Sequence, residues 1–542
     1  MTATTRIART ARTHGPTVAV AVLAGVAAIA TSFATTGGSQ SFVVIPVEGL
    51  LTQLVPGDVI AWMIATFGGL GAKFNFLTAT LLAVGLFGAV AGLTIVGTRA
   101  AGIDALATPV TLFGGWGAAA VLTGDLLGAF GAGMGAGLVV GTTQLLSRTR
   151  TTRTVGTNPD RRALVGGGAV ALGLGAVGAG TELFSTPEQN DSGADTEDNP
   201  VDAATLNGAS ASGGDGQSAT GDGQSLDADT ELPVSEYKRY AREQSLDVDG
   251  LEPLLSEQFY NVDISSFNPD LDQSDWSVSV TGAVENEFVL TYEDLREYRA
   301  QNRMATLRCV GDSLNGYKID NAVWTGVPMA PILEEASPTS DSCCVMLRAE
   351  DEYYNEFPIE ALRDGFLAFG MNGQALPRAH GHPVRALIPG HWGEINVKWL
   401  SEIEILETEA QGYWEKKGWH GTGPVNTVAK LWDDGIVRHD DGRMTLAGHA
   451  YAGTRGIDRV EVSTDGGDTW SDAELIHPIP PEVRERRSVV DVWQQWHYEF
   501  EPDGTHEVVV RATDGEGNLQ ERDQANAYPR GATGWVSKTV SG

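Results

Sequence analysis

Residues 305–333 read ATLRCVGDSLNGYKIDNAVWTGVPMAPIL. A short apolar run ends on Cys309, and a Gly-containing loop with Asp312, Ser313 and Asn315 follows, the pattern of a strand that delivers one side chain at its end. The chain has three cysteines, and the other two, Cys343 and Cys344, are adjacent in CCVMLRA. That run reads as a core strand in which both sulfurs are packed rather than bonded. Cys309 has no evident disulfide partner, so it is a working thiol or a buried one.

Outward from this stretch the pattern is mixed. Glu236 to Glu243 reads as a short helix, DWSVSVTG alternates as a strand, and LTYEDLREYR caps and runs as a helix. Residues 305–408 continue as mixed α and β. Beyond Gly423 the runs MTLAGHAYAG, IDRVEVSTDGGDTW and HEVVVRATDGEGN alternate between Asp-Gly and Gly-Gly turns, which predicts a β-sandwich.

Before residue 235 the composition is different. Residues 185–232 are Ser, Gly, Asp, Ala and Thr with almost nothing apolar, including GGDGQSATGDGQS, and read as a flexible acidic tether. Thr17 to Gly180 is Ala, Gly, Val and Leu with few charges, the composition of a membrane region. Five runs, about 17–36, 75–97, 103–122, 124–146 and 163–180, approach the roughly 20 apolar residues a crossing requires. A sixth, Leu50 to Leu70, contains Pro56, Gly57 and Asp58. Five spans with the N-terminus inside put Arg6, Arg9, Arg12, Arg99, Arg148, Arg150, Arg153, Arg161 and Arg162 on the cytoplasmic side, and a sixth crossing would reverse the later ones. The sixth segment is therefore expected in the interface, and everything after residue 180 on the outer face. Asp160-Arg161-Arg162 before the last run is similar to a twin-arginine export signal and equally to ordinary anchoring. The expected domains are a membrane region at 1–184, a linker at 185–234, a mixed domain at 235–422 and the sandwich at 423–542.

Charge excludes one class of partner. Of 37 Lys/Arg and 70 Asp/Glu, residues 1–182 hold ten and six, so the remainder carries 27 and 64. Such a surface does not suit nucleic acid, whose phosphates need a basic footprint, and reads instead as that of a halophile. The only histidine before residue 380 is His14, so a membrane haem with two histidine ligands is not expected from this chain.

Within the acidic half, basic and imidazole groups concentrate in MNGQALPRAHGHPVRALIPGHWGEINVKWL, residues 371–400. His380, His382 and His391 lack the helical i, i+4 spacing of zinc enzymes. Arg385 and Lys398 beside Pro389-Gly390 suit an anionic ligand such as phosphate, or two surface ion pairs. GYWEKKGWHG at 412–421 and the Arg455 region complete the chemically dense stretches.

These stretches in this order, TLRC, WTGVP at 324–328, the 371–400 segment and GTRGIDRVEVSTDGGDTW at 453–470, resemble the sulfite oxidase family of molybdenum enzymes. The resemblance covers roughly residues 257–542, and the variant it is most similar to is the membrane-anchored prokaryotic, haloarchaeal branch. It implies a multi-domain architecture: an all-α transmembrane bundle, an α+β molybdopterin-binding domain and an immunoglobulin-like β-sandwich of the dimerisation type. It implies molybdenum on a single pyranopterin, with Cys309 as the metal ligand, and Asp312, His380, Arg385 and Lys398 on the cofactor. It also implies two-electron oxygen-atom transfer on sulfite or a related oxyanion or sulfoxide. Electrons would pass to or from a separate redox protein or a quinone-linked partner, and a homodimer is expected. Arg455 matches a substrate-pocket arginine, and Arg308 is a second candidate cation. Where animal members place a tyrosine this chain has Trp419, and Asn261 to Asp272 lacks any basic residue, which leaves the substrate open. The rival reading is a cofactor-free surface protein that uses its sandwich for adhesion or assembly.

Overall fold

The computed structural model describes residues 3–148 apart from 38, 40, 57–58, 61–62 and 64–69, together with 201, 232–486 and 489–542. The span expected at 163–180, the adjacent Arg161-Arg162 and nearly all of the 185–232 tether lie outside the described residues. The chain divides into two compact units.

The first unit contains α1 (Ala3–Thr36), α2 (Val44–Leu54), α3 (Leu70–Ala100), α4 (Ala107–Thr123) and α5 (Phe130–Arg148), joined by the segment Asp263–Asp270. Small residues let the backbones meet. A Cβ on Gly25 of α1 would lie 2.2 Å from the Val84 carbonyl oxygen of α3, and one on Gly135 of α5 would lie 2.3 Å from that of Ala27. Close approach through small residues is how helices associate where water supplies no hydrophobic drive. The outward faces carry Leu81, Leu82, Leu93 and Val121, all exposed. Among the described residues three helices are long and apolar enough to cross a membrane: Gly15–Thr36, Lys73–Ala100 and Asp104–Thr123. The span expected at 124–146 is shorter than the sequence suggests. Gly124 ends α4 at φ +70°, and Asp125 Oδ1 accepts from the Leu127 amide at 2.9 Å, so a turn uses the first residues and the apolar helix is Phe130–Leu146. The apolar run that begins at Leu50 leaves α2 at Leu54, and the 11 residues of α2 fall well short of a crossing. Within this unit Phe267 packs among Phe33, Phe42 and Phe76, and Ser266 Oγ donates to Glu48 Oε1 at 2.6 Å.

The second unit begins with α6 (Val234–Gln244) and continues through β1 (Ser277–Gly282), β2 (Phe288–Thr291), β3 (Gln301–Arg308), β4 (Ile319–Pro328), β5 (Cys344–Ala349), β6 (Tyr354–Pro358), β7 (Phe366–Met371), β8 (Gln374–Ala375), β9 (Arg385–Leu387) and β10 (Leu400–Leu406). One sheet has the order β2-β1-β10-β5-β6, with β1 parallel to β10, and the other has β3-β4-β7-β8 with β9 also on β7. The helix expected in LTYEDLREYR is only Tyr292–Leu295. Its Thr291 and Asp294 form a capping box, but Arg296 already leaves it. Cys343 and Cys344 correct the expectation of two packed thiols, because their sulfurs are bonded to each other.

The remaining strands are β11 (Val428–Lys430), β12 (Ile436–Arg438), β13 (Met444–Tyr451), β14 (Ile457–Ser463), β15 (Ser471–Asp472), β16 (Glu474–Ile476), β17 (Gln494–Phe500), β18 (Thr505–Asp514) and β19 (Val536–Ser541). They form two sheets, β11-β13-β17-β16 with β12, and β15-β14-β18-β19. Leu446 and Ala450 from one sheet and Val460, Val508, Val510 and Val540 from the other share one core, as the alternating pattern predicts.

Candidate active site

The β3–β4 hairpin presents Cys309. Arg308 pairs with Ile319 at the end of the ladder, and the next rung is the Cys309 amide donating to the Lys318 carbonyl at 3.0 Å. The chain then turns, with the Asp312 amide donating to the Cys309 carbonyl at 3.0 Å. Cys309 is half-buried and is the free cysteine of the described residues. Burial pushes its thiol up to about 11, and the Lys318 charge is the largest influence in the other direction.

Beneath the thiol lies a buried ion triad. Asp312 Oδ2 is 3.1 Å from Arg308 Nε and 2.7 Å from Lys430 Nζ, and Oδ1 accepts from the Lys318 amide at 3.1 Å. Burial alone would raise the Asp312 carboxyl, but the Lys430 and Arg308 charges outweigh it and hold it below the usual carboxylate range. Burial lowers the Lys430 ammonium to about 8 in spite of Asp312. Arg308 also donates from Nη1 to the Asn426 carbonyl at 3.1 Å and lies over the Trp392 ring at 5.0 Å. Its Nη2 is buried with no hydrogen-bond partner among the described residues.

The 371–400 segment folds into a cradle. Gly381 has φ +107°, and a Cβ there would lie 3.1 Å from the β-carbons of both Arg385 and Lys398, so only glycine fits. Arg385 donates to the carbonyls of His380 (3.1 Å) and Asn396 (2.9 Å), and Lys398 Nζ donates to Asn261 Oδ1 (2.7 Å) and the Ala379 carbonyl (2.9 Å). His380 is buried, and desolvation followed by the Lys398 and Arg385 charges lowers it to about 3. Two cations converging on a neutral imidazole suit the terminal phosphate of a pterin. The residues present therefore fit the cofactor that the sequence implies.

The tripeptide Phe259-Tyr260-Asn261 joins the cradle to the cysteine. Phe259 packs edge-on to His380 at 5.5 Å, and Asn261 takes the Lys398 bond. The Tyr260 amide donates to Asp320 Oδ2 at 2.7 Å, and its phenol is raised well above its usual range by burial and then by the Cys309 and Asp320 charges. Tyr260 lies just before the acidic stretch 261–272, and an aromatic pair such as Phe259-Tyr260 carries no charge signal in the sequence.

The remaining candidates lie nearby with other partners. Arg455 donates from Nε to Asp514 Oδ2 (2.8 Å) and from Nη2 to the Val425 carbonyl (2.9 Å) and Thr427 Oγ1 (3.1 Å). It and Arg308 thus grip the same segment, Val425 to Thr427, just before β11. Trp419 is buried between Trp414 and Tyr528, and its indole N–H has no partner among the described residues. Glu394 lies one residue beyond Gly393, where a Cβ would be 3.3 Å from the Arg308 carbonyl oxygen. The Glu394 and Glu415 carboxyls have buried oxygens and face each other; burial and then Glu415 hold Glu394 protonated well above the usual range.

Residues 266–414 match the oxidoreductase molybdopterin binding domain and residues 423–530 the Mo-co oxidoreductase dimerisation domain. The chain is 27% identical over 358 residues to a sulfite oxidase of Arabidopsis thaliana, covering 53% of this chain and 91% of that one. It is 27% identical over 317 residues to an NADH nitrate reductase of Solanum lycopersicum, covering 46% of this chain and only 34% of the relative. The structure of the sulfane dehydrogenase SoxCD from Paracoccus pantotrophus aligns over 59% of this chain and 94% of that one, at 22% identity and a TM-score of 0.44. With both domain types matched and sulfite oxidases among the relatives, the chain belongs to the sulfite oxidase family of molybdopterin-dependent oxidoreductases.

Proposed function

We propose that the protein is a membrane-anchored enzyme that transfers one oxygen atom and two electrons at a molybdenum centre ligated by Cys309. The substrate is sulfite or a related oxyanion or sulfoxide. The observation that supports this reading is the Phe259–Asn261 tripeptide, which contacts His380 and Lys398 while its Tyr260 lies within the influence of the Cys309 charge. When bound, the molybdenum pterin would supply the two-electron redox chemistry.

The chain's own residues bind and orient. Arg385, Lys398 and His380 hold the pterin phosphate, and the Asp312 triad fixes the loop that follows Cys309. A metal ligand must be the thiolate. Burial raises the Cys309 thiol, so metal binding displaces its proton against that tendency. A single pyranopterin, an immunoglobulin-like sandwich that pairs two subunits, and electron exchange with a separate redox protein or quinone-linked partner belong to the same reading. So does an extracytoplasmic catalytic domain, which rests on the arginine distribution around the apolar helices.

Turnover of sulfite by the full-length protein with ferricyanide as acceptor tests the direction. Oxidation forms one sulfate for every two ferricyanides reduced. Reduction of a methyl sulfoxide with no oxidation of sulfite would favour the reverse reaction.

A further inference from the structure

The substrate would be an anion, and the two arginines singled out by sequence already give most of their donors to protein partners. Arg308 is fully buried and holds Asp312 and the Asn426 carbonyl, while Arg455 holds Asp514, Val425 and Thr427. A different cation faces the thiol. The β3–β4 ladder pairs Leu307 with Asp320 and Arg308 with Ile319, and the Cys309 amide to Lys318 carbonyl bond extends it by one rung. Residues directly opposite in an antiparallel pair project from the same face, with Cβ atoms about 5 Å apart. Cys309 and Lys318 therefore stand side by side, on the face that also carries Asp320 and Tyr260.

The Lys318 ammonium makes no hydrogen bond or ion pair among the described residues, and the side chain is half-buried. Among the nearby charges, Arg308 and Lys430 are buried against Asp312, and burial and then Glu415 hold Glu394 protonated above the usual range. Lys318 is thus the half-exposed cation beside Cys309. An ammonium on a flexible stem with three donors suits a small oxyanion approaching from solvent. Resting on the reading that Cys309 carries the metal, we infer that Lys318 is the residue that binds the anionic group of the substrate beside Cys309. This places the specificity for charge in the hairpin loop rather than in the stretch 261–272.

The test compares wild type, Lys318→Gln and Lys318→Arg, all full length, at low ionic strength where the charge is least screened. In protein produced without cofactor, Cys309 is alkylated with anionic iodoacetate and with neutral iodoacetamide. The ratio of the two rates reports the local charge and does not depend on the metal. The ratio falls about five-fold in Lys318→Gln and is kept in Lys318→Arg, as expected for one unit charge at this range. In the loaded enzyme, KM for sulfite rises about ten-fold in Lys318→Gln while kcat stays within two-fold, the signature of lost substrate binding. An unchanged alkylation ratio overturns the inference, and so does an unchanged KM. Retention of molybdenum and turnover in Cys309→Ser would remove the underlying reading while leaving the alkylation ratio untouched, so the two failures are distinguishable.

Discussion

Lys430 Nζ lies 2.7 Å from Asp312 Oδ2, so the first strand of the C-terminal β domain fastens the loop that follows the active-site cysteine. The same carboxylate takes Arg308, giving one buried anion between two buried cations. Asp312→Asn leaves both cations unpaired. Removing one partner from a buried ion pair typically costs about 3–5 kcal/mol. Thermal unfolding of the detergent-solubilised protein is expected to show a loss of that order, partly restored by adding Lys430→Met. An Asp312→Asn variant as stable as wild type would show that the triad does not fasten the loop.

Asp491 accepts from Tyr451 Oη (2.6 Å) and from the Gly390 amide (2.8 Å), and burial raises it to about 6; burial likewise raises Asp320 to about 7. A carboxyl raised by folding stabilises below its unfolded value of about 4 and loses that contribution as pH rises through its folded value. His380, His449 and His477 have lowered values of about 3, 3 and 4 and oppose this trend below about pH 6.5, so the absolute melting curve mixes the two. The difference between variant and wild type isolates the acid. Asp491→Asn should gain melting temperature relative to wild type as pH goes from about 5 to 8, and a constant difference would show that Asp491 does not titrate in this range.

Gly381 is the position where the cradle has no room. At φ +107°, a side chain there is strained by about 1–3 kcal/mol and meets Arg385 and Lys398 at 3.1 Å. Gly381→Ala is expected to lower molybdenum content at least ten-fold while leaving the far-ultraviolet circular dichroism unchanged. Full occupancy in that variant would mean that Arg385 and Lys398 do not hold the cofactor.

The parts legible in sequence were those with local patterns. The strand into Cys309, the 371–400 cradle and the alternating strands after Gly423 declare themselves within ten to thirty residues. Lys430 lies 118 residues from Asp312, and no periodicity connects them. Lys318 was within reach, because counting the register back from Trp324 across the hairpin places it opposite Cys309. The run 124–146 looked like a full span because hydropathy does not register the turn that Gly124 and Asp125 form. Arg455 is singled out by resemblance, but its partner Asp514 lies on β18, and only the fold shows that two of its nitrogens are engaged.

Metal content in wild type and Cys309→Ser tests the central claim most directly. The account predicts about one molybdenum and one releasable pterin per chain in wild type, and loss of oxygen-atom transfer in the variant with pterin still bound by the cradle. Wild type without molybdenum, or a Cys309→Ser variant with unchanged molybdenum and turnover, would contradict it.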